Sequence, residues 1–249
     1  MPATDLAPSA PVLTLRQPWV RWQYALLTIS ALLLLWIFEQ SDLDRQIALQ
    51  LFDSELGIFP LRRNWFLEAV LHRGAKQATY ILVAASLYLC WQGWKGRVDW
   101  LPPRNALLAA IGMVAIPVAT STIKLLTNRY CPWDIVDFGG YAPYLNLFAP
   151  APQGMKAGQC FPAGHASTGF LWIVWAVALR PAGLRVARLG LLAALLAGGV
   201  LGAVRMLQGA HFLSHTLWTL WLAWALSVTL ALLVHADLAP GRRAPAVSP

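Results

Sequence analysis

Six ionisable side chains stand at the ends of apolar segments in this chain: Lys124, Arg129, His165, Arg205, His211 and His215. The segments run over 105–126, 165–179, 186–208 and 211–235. Lys124 closes the first, His165 opens the second, Arg205 lies near the end of the third, and His211 opens the fourth. Successive crossings of a bilayer alternate in direction, so end, start, end and start all fall on one side. Groups distant in sequence then share one locality. Cations and imidazoles gathered at a membrane surface suit chemistry on a phosphate, where fixed positive charge stabilises developing anion and imidazole moves protons.

Each segment carries its own alternatives. In Lys124-Leu-Leu-Thr-Asn-Arg129-Tyr-Cys131-Pro132, Pro132 stops a helix. Lys124 and Arg129 can hold phosphate oxygens, or simply anchor the helix in the head-group layer. In Phe161-Pro162-Ala163-Gly164-His165, Gly164 admits close backbone approach and the helix start favours an anion. His165 is placed to protonate a departing alkoxide, against the plainer reading of a polar residue at a helix start. In Arg205-Met-Leu-Gln-Gly209-Ala210-His211-Phe-Leu-Ser214-His215, Gly209 marks the break between two helices. His211 and His215, four apart, are expected on one helix face, where one imidazole can hold or polarise the other. A buried structural pair and a shared metal are the alternatives, and no third ligand is fixed nearby.

The elements that must position these groups are membrane helices. Of 249 residues, 58% are hydrophobic and only 12% charged, and the apolar residues come in long blocks. A bilayer core of about 30 Å needs roughly 20 apolar residues per helix. Six runs qualify: 22–39, 76–93, 105–126, 165–179, 186–208 and 211–235. The expected fold is all-α, a polytopic bundle of six transmembrane helices in one domain spanning 1–249. Trp22, Trp36, Trp91, Trp94 and Trp100 near segment ends fit an interfacial belt. The Pro/Ala-rich tails, 1–20 and 237–249, are expected to be loose and cytoplasmic. Residues 42–53 predict a short amphipathic helix on the outer surface, with Ile47, Leu51 and Phe52 on one face. The Gly/Pro-rich loop 127–162 is the longest and is expected to form a lid or a substrate-binding wall. Cys131 and Cys160 lie in it, either as a disulfide or as two free thiols. Cys90 reads as a packing residue.

The net charge of +8 does not indicate nucleic acid, because the basic residues are spread over loops. Arg16, Arg21, Lys95, Arg97, Arg104, Arg180, Arg185, Arg188, Arg242 and Arg243 fall on one side of the six-span frame; the other carries nine basic residues, among them Lys124, Arg129, Lys156 and Arg205 at or beside the cluster, together with the acidic residues Asp42, Asp44, Asp53 and Glu55. The positive-inside rule then places the termini in the cytoplasm and the six-residue cluster on the periplasmic face of a bacterial inner membrane. Glu68, His72 and Lys76 also share a helix face on that outer side. They can contact a head group or form a solvated interfacial face.

The three segments together resemble the motifs of the type 2 phosphatidic acid phosphatase family, which includes membrane lipid phosphatases and vanadium haloperoxidases. That pattern is Lys-x6-Arg-Pro, Pro-Ser-Gly-His and Ser-Arg-x5-His-x3-Asp. The chain reads Lys124-x6-Cys131-Pro132, Pro162-Ala163-Gly164-His165 and Val204-Arg205-x5-His211-x3-His215. The resemblance implies a phosphohistidine at His211, proton donation by His165, and a phosphate clamp of Lys124 and Arg205. It implies no cofactor and no metal. Ala163 and Val204 stand where the family has Ser, Cys131 where it has Arg, and His215 where it has the Asp that orients the nucleophile. Arg129 and Asp134 are the nearby candidates to replace the missing cation and carboxylate.

The resemblance thus implies a lipid phosphatase releasing phosphate from a lipid phosphate or diphosphate, with membrane lipids as its surroundings. It leaves the lipid open among lipid A, undecaprenyl diphosphate and phosphatidylglycerophosphate, and it leaves the oligomeric state open. Transfer to another lipid, or lipid binding without turnover in a regulatory protein, are the alternatives. Transport is disfavoured because the polar groups gather at one face and not at mid-bilayer.

Overall fold

The computed structural model describes residues 13–150 and 152–239. Pro18 opens α1 (Pro18–Gln40) at the position where its missing N–H costs nothing. After α2 (Leu43–Gln50), a π-helical stretch, Leu67–Gly74, runs directly into α3 (Ala75–Trp94). Then come α4 (Pro103–Thr127), two short helices α5 (Gly164–Phe170) and α6 (Ile173–Ala178), α7 (Leu184–Leu207) and α8 (Leu213–Leu233). Among the described residues there is no strand, only the isolated bridges Asp53–Ile58 and Ile135–Ala142.

Among the described residues four helices, α1, α4, α7 and α8, are long and apolar enough to cross a membrane, where the sequence suggested six. The two shortfalls have different causes. The 20 residues of α3 reach about 30 Å at 1.5 Å per residue, but Lys76, Gln77 and Gln92 dilute its apolarity. The segment 165–179 is broken at Leu171–Trp172 into α5 and α6.

The main core lies between the long helices and includes Val20, Leu108, Met113, Ile116, Phe170, Val174 and Ala223. Small residues set its closest crossings. A Cβ on Gly169 would stand 2.3 Å from the backbone nitrogen of Gly198, so α5 and α7 touch backbone to backbone. This crossing fixes the level of His165 against Arg205, each less than two turns away along its own helix.

The loop 127–162 is a packed cap. A second cluster, Ala48, Phe59, Tyr130, Ile135, Phe138, Ala142 and Phe212, joins it to α2 and to the start of α8. Cys131 and Cys160 form a disulfide, and Arg45 Nε donates to Asp137 Oδ2 at 2.7 Å. In α2 the buried residues are Asp44 and Ala48, so its inward face carries a carboxylate as well as apolar groups. Trp22, Trp36, Trp91, Trp94 and Trp100 are all exposed, as an interfacial belt requires.

Of the two tails expected to be loose, 1–12 and 240–249 lie outside the described residues. The nearer parts are tied down. Leu13 is buried and its carbonyl meets His235 Nδ1 at 3.0 Å. Asp237 exchanges two hydrogen bonds with the side chain of Asn105.

Candidate active site

Each cationic or imidazole group is placed by a helix end. Helix α4 stops at Thr127, where Asn128 takes the left-handed conformation at φ 50°, well before Pro132. Thr127 Oγ1 donates to the carbonyl of Phe161 at 2.7 Å, which ties this end to the start of α5. The Lys124 ammonium comes within 3.8 Å of where a Cβ on Gly164 would stand, so Lys124 and the opening turn of α5 are side by side. The turn from α7 into α8 is held at Gly209, whose φ is +73°. A Cβ there would also strike the Phe59 ring at 2.3 Å, so the backbone conformation and the cap both demand glycine.

These constraints bring Lys124, His165, Arg205 and His211 into one locality. Lys124, Arg205, His165 and His215 are all close enough to act on the charge of His211. Arg205 and Lys124 likewise act on each other and on His165. His211 is 5% exposed and sits in the turn before α8. Among the described residues the buried Nε2 of His165 and Nδ1 of His211 have no hydrogen-bond partner. Arg205 Nη1 donates to Gln208 Oε1 at 2.8 Å, and its guanidinium lies 5.6 Å from the centre of the Trp133 ring.

Two expected roles are altered. His211 precedes α8 and so does not share a helix face with His215. Their rings are 5.8 Å apart at 68°, and among the described residues neither Nδ1 has a hydrogen-bond partner, so neither Nδ1 takes part in the expected bond between them. Instead the His215 ring packs edge-on against Phe161 and Phe212, and its carbonyl accepts from the Ala163 N–H at 3.2 Å. Arg129 turns into the cap, where Nη2 donates to the carbonyls of Leu147 and Ala149 at 2.8 and 2.6 Å. It lines a cavity with His215, Asp44 and Tyr144, apart from Lys124 and Arg205. Asp134 stands half-buried in the cap, and none of its contacts among the described residues is with an imidazole.

Two acidic groups come closer than the sequence indicated. Glu68 Oε2 lies 3.0 Å from His72 Nδ1 and 3.6 Å from Arg205 Nη1. Burial works to raise its pKa, but the hydrogen bond and charge of His72 and the charge of Arg205 hold the carboxyl below its ordinary value. Asp44 is fully buried beneath the first turn of α8, and both the N–H and the hydroxyl of Ser214 donate to it. Burial outweighs those bonds and raises its pKa to about 6. Nothing in the pattern of residues 42–53 marked Asp44, since a lone acid in an amphipathic helix is ordinary. Glu68 and His72 did carry a signal, their spacing at the outer start of α3.

An open apolar groove of about 410 Å³ lies between α3, α5 and α7. Ala75, Ala78 and Leu82 of α3 face Leu196, Val200 and Leu201 of α7 across it, with Thr168 and Gly169 of α5 at its floor. Its upper end, at Ala75, Thr168 and Leu201, is about one helical turn from His72, His165 and Arg205.

The sequence model of the PAP2 superfamily matches residues 105–238, more than half of the chain. The chain belongs to the PAP2 superfamily. No curated protein sequence matches it. It is similar to the crystal structure of the first transmembrane PAP2 type phosphatidylglycerolphosphate phosphatase from Bacillus subtilis, at 17% identity and a TM-score of 0.48, over 86% of this chain and 93% of that one. The substituted PAP2 motif positions have local explanations. Cys131 is committed to the disulfide with Cys160. Ala163 is completely buried and Val204 is 6% exposed, so each hydroxyl is replaced by a packed apolar group. Among the described residues the His, Cys, Asp and Glu side chains close enough to share a metal are Cys131, Asp134 and Cys160, and the two sulfurs are already joined.

Proposed function

We propose that this PAP2 protein is a phosphoric ester hydrolase that removes phosphate from a lipid phosphate or diphosphate. The observation that carries the reading is the convergence of Lys124, His165, Arg205 and His211 at adjoining helix ends, beside an apolar groove. The two cations clamp the equatorial phosphate oxygens, where their charge stabilises the transition state. The groove gives the lipid tail an apolar path while its head occupies the site.

In the first step a neutral ring nitrogen of His211 attacks phosphorus. The nitrogen–phosphorus bond forms and the bond to the leaving oxygen breaks. That oxygen keeps the electron pair and takes a proton from His165. In the second step the now neutral His165 accepts a proton from water as its oxygen attacks phosphorus. The phosphorus–nitrogen bond breaks, its electron pair returns to His211, and inorganic phosphate leaves. A lipid hydroxyl in place of water would give transfer. His215 supports this site by packing the 160–163 segment onto α8, and Arg129 by bracing the cap.

The whole chain acts as one membrane-embedded unit with six crossings, α3 and the α5–α6 pair supplying the two beyond the four most apolar helices. The termini are cytoplasmic and the site opens on the periplasmic face of a bacterial inner membrane, in accord with the basic loops on the opposite side. The test is phosphate release by the purified protein from a panel of lipid phosphates in micelles, with and without chelator. Wild-type release that persists with chelator and is lost in His211→Ala supports the reading. Release from no lipid supports a non-catalytic lipid-binding protein.

A further inference from the structure

His72 is outside the three PAP2 motifs, yet it touches the groups those motifs supply. Its ring stands edge-on to His165 with centroids 3.8 Å apart at 86°. Its Nδ1 lies 3.0 Å from Glu68 Oε2 and 3.0 Å from Arg205 Nη1. One nitrogen cannot donate to Glu68 and accept from Arg205 at once. With Nδ1–H donating to Glu68, Arg205 Nη1 still has an acceptor in Gln208 Oε1 at 2.8 Å. That tautomer is the one a carboxylate selects when it orients an imidazole.

The local backbone is unusual in the same place. Residues Leu67–Gly74 are π-helical, a widened turn that is rare and often found at functional sites. Both Glu68 and His72 stand on it. Among the described residues Glu68 is also the one carboxylate within ion-pair distance of a cation or imidazole of the site. The position from which the family motif would supply a carboxylate is occupied by His215, whose Nδ1 has no hydrogen-bond partner among the described residues.

We propose that the Glu68–His72 pair is a positioning device for the general acid: His72, oriented by Glu68, fixes the ring of His165 for proton donation to the leaving oxygen. The proposal rests on the proton-donor role given to His165 above. His72 itself transfers no proton in the reaction. The pair moves carboxylate support from the nucleophile, where the motif lacks it, to the acid.

The experiment compares two substrates that share the phosphate but differ in their need for an acid. Phosphatidic acid leaves as an alkoxide that must be protonated, whereas 4-nitrophenyl phosphate leaves as a stable phenolate. His72→Asn is expected to lower kcat on phosphatidic acid by about 10- to 100-fold and on 4-nitrophenyl phosphate by less than about 3-fold, a part of the range open to general-acid catalysis. Glu68→Gln is expected to show the same selectivity with a smaller loss. An equal loss on both substrates, or no loss on either, overturns the proposal. A second measurement needs no turnover. Histidine ring signals in the NMR spectrum of the ¹⁵N-labelled protein in micelles should shift for both His72 and His165 in Glu68→Gln. If His165 does not respond, the coupling is absent. If wild-type protein hydrolyses neither substrate but this shift appears, the hydrolase reading fails while the coupling stands.

Discussion

Arg205 and Arg129 are both largely buried cations near the motifs, and their surroundings separate their roles. Arg205 faces Gln208, Glu68 and Trp133 beside His211, whereas Arg129 is spent on two carbonyls of the cap. Arg205→Ala should therefore lower kcat/KM for a lipid phosphate by roughly 10²- to 10³-fold, the usual cost of removing one transition-state donor. Arg129→Ala should instead lower the thermal unfolding midpoint and leave kcat/KM within about tenfold, because the lost bonds hold a loop and not a phosphate. Phosphate release and thermal unfolding on the same two variants check both statements. The convergence of Lys124, His165, Arg205 and His211 was legible from sequence, because alternating helix ends fall on one side of a bundle. The guanidinium direction of Arg129 was not, because two residues of shift along an irregular segment after Asn128 reverse a side chain without changing the composition of the loop.

At the scale of elements, the first turn of α8 depends on two supports from the cap side. Gly209 supplies a positive φ beneath the Phe59 ring. Gly209→Ala should destabilise the protein by roughly 1–3 kcal/mol through overpacking, and more if backbone strain adds to it. Denaturant or thermal unfolding measures this. Asp44 receives the Ser214 N–H and hydroxyl at the start of the same helix. Its pKa in the fold, about 6, lies above its ordinary value of 3.8. The folded state therefore prefers the protonated acid. Its contribution is fully present below about pH 4 and is lost as pH rises through 6, a loss of at most about 3 kcal/mol. Wild-type stability relative to Asp44→Asn should fall between pH 4 and pH 7, and an offset that does not change with pH would contradict the assignment. Helix positions were largely legible here, since length and apolarity determine them. The cap was not, because its packing of Phe59, Phe138, Ile135 and Phe212 joins residues from three separate segments with no shared period.

For the whole molecule, sequence pattern located every long helix but overstated uniformity among them. Among the described residues α1, α4, α7 and α8 are the helices long and apolar enough to cross a membrane, and the short segment 165–179 yields a broken helix whose first half holds His165. Charge distribution gives the orientation its prediction: a fluorescent protein fused to the C-terminus should fluoresce and a periplasm-dependent alkaline phosphatase fused there should be inactive. The reverse pattern would place the site in the cytoplasm. The proposed reaction turns on one bond, between phosphorus and a ring nitrogen of His211. Rapid quenching of the purified protein with ³²P-labelled lipid phosphate, followed by peptide mapping, tests it most directly. The expected result is an acid-labile, base-stable label on the peptide containing His211, absent in His211→Ala together with phosphate release. Phosphate release that continues in His211→Ala, or a label found on another residue, would contradict it.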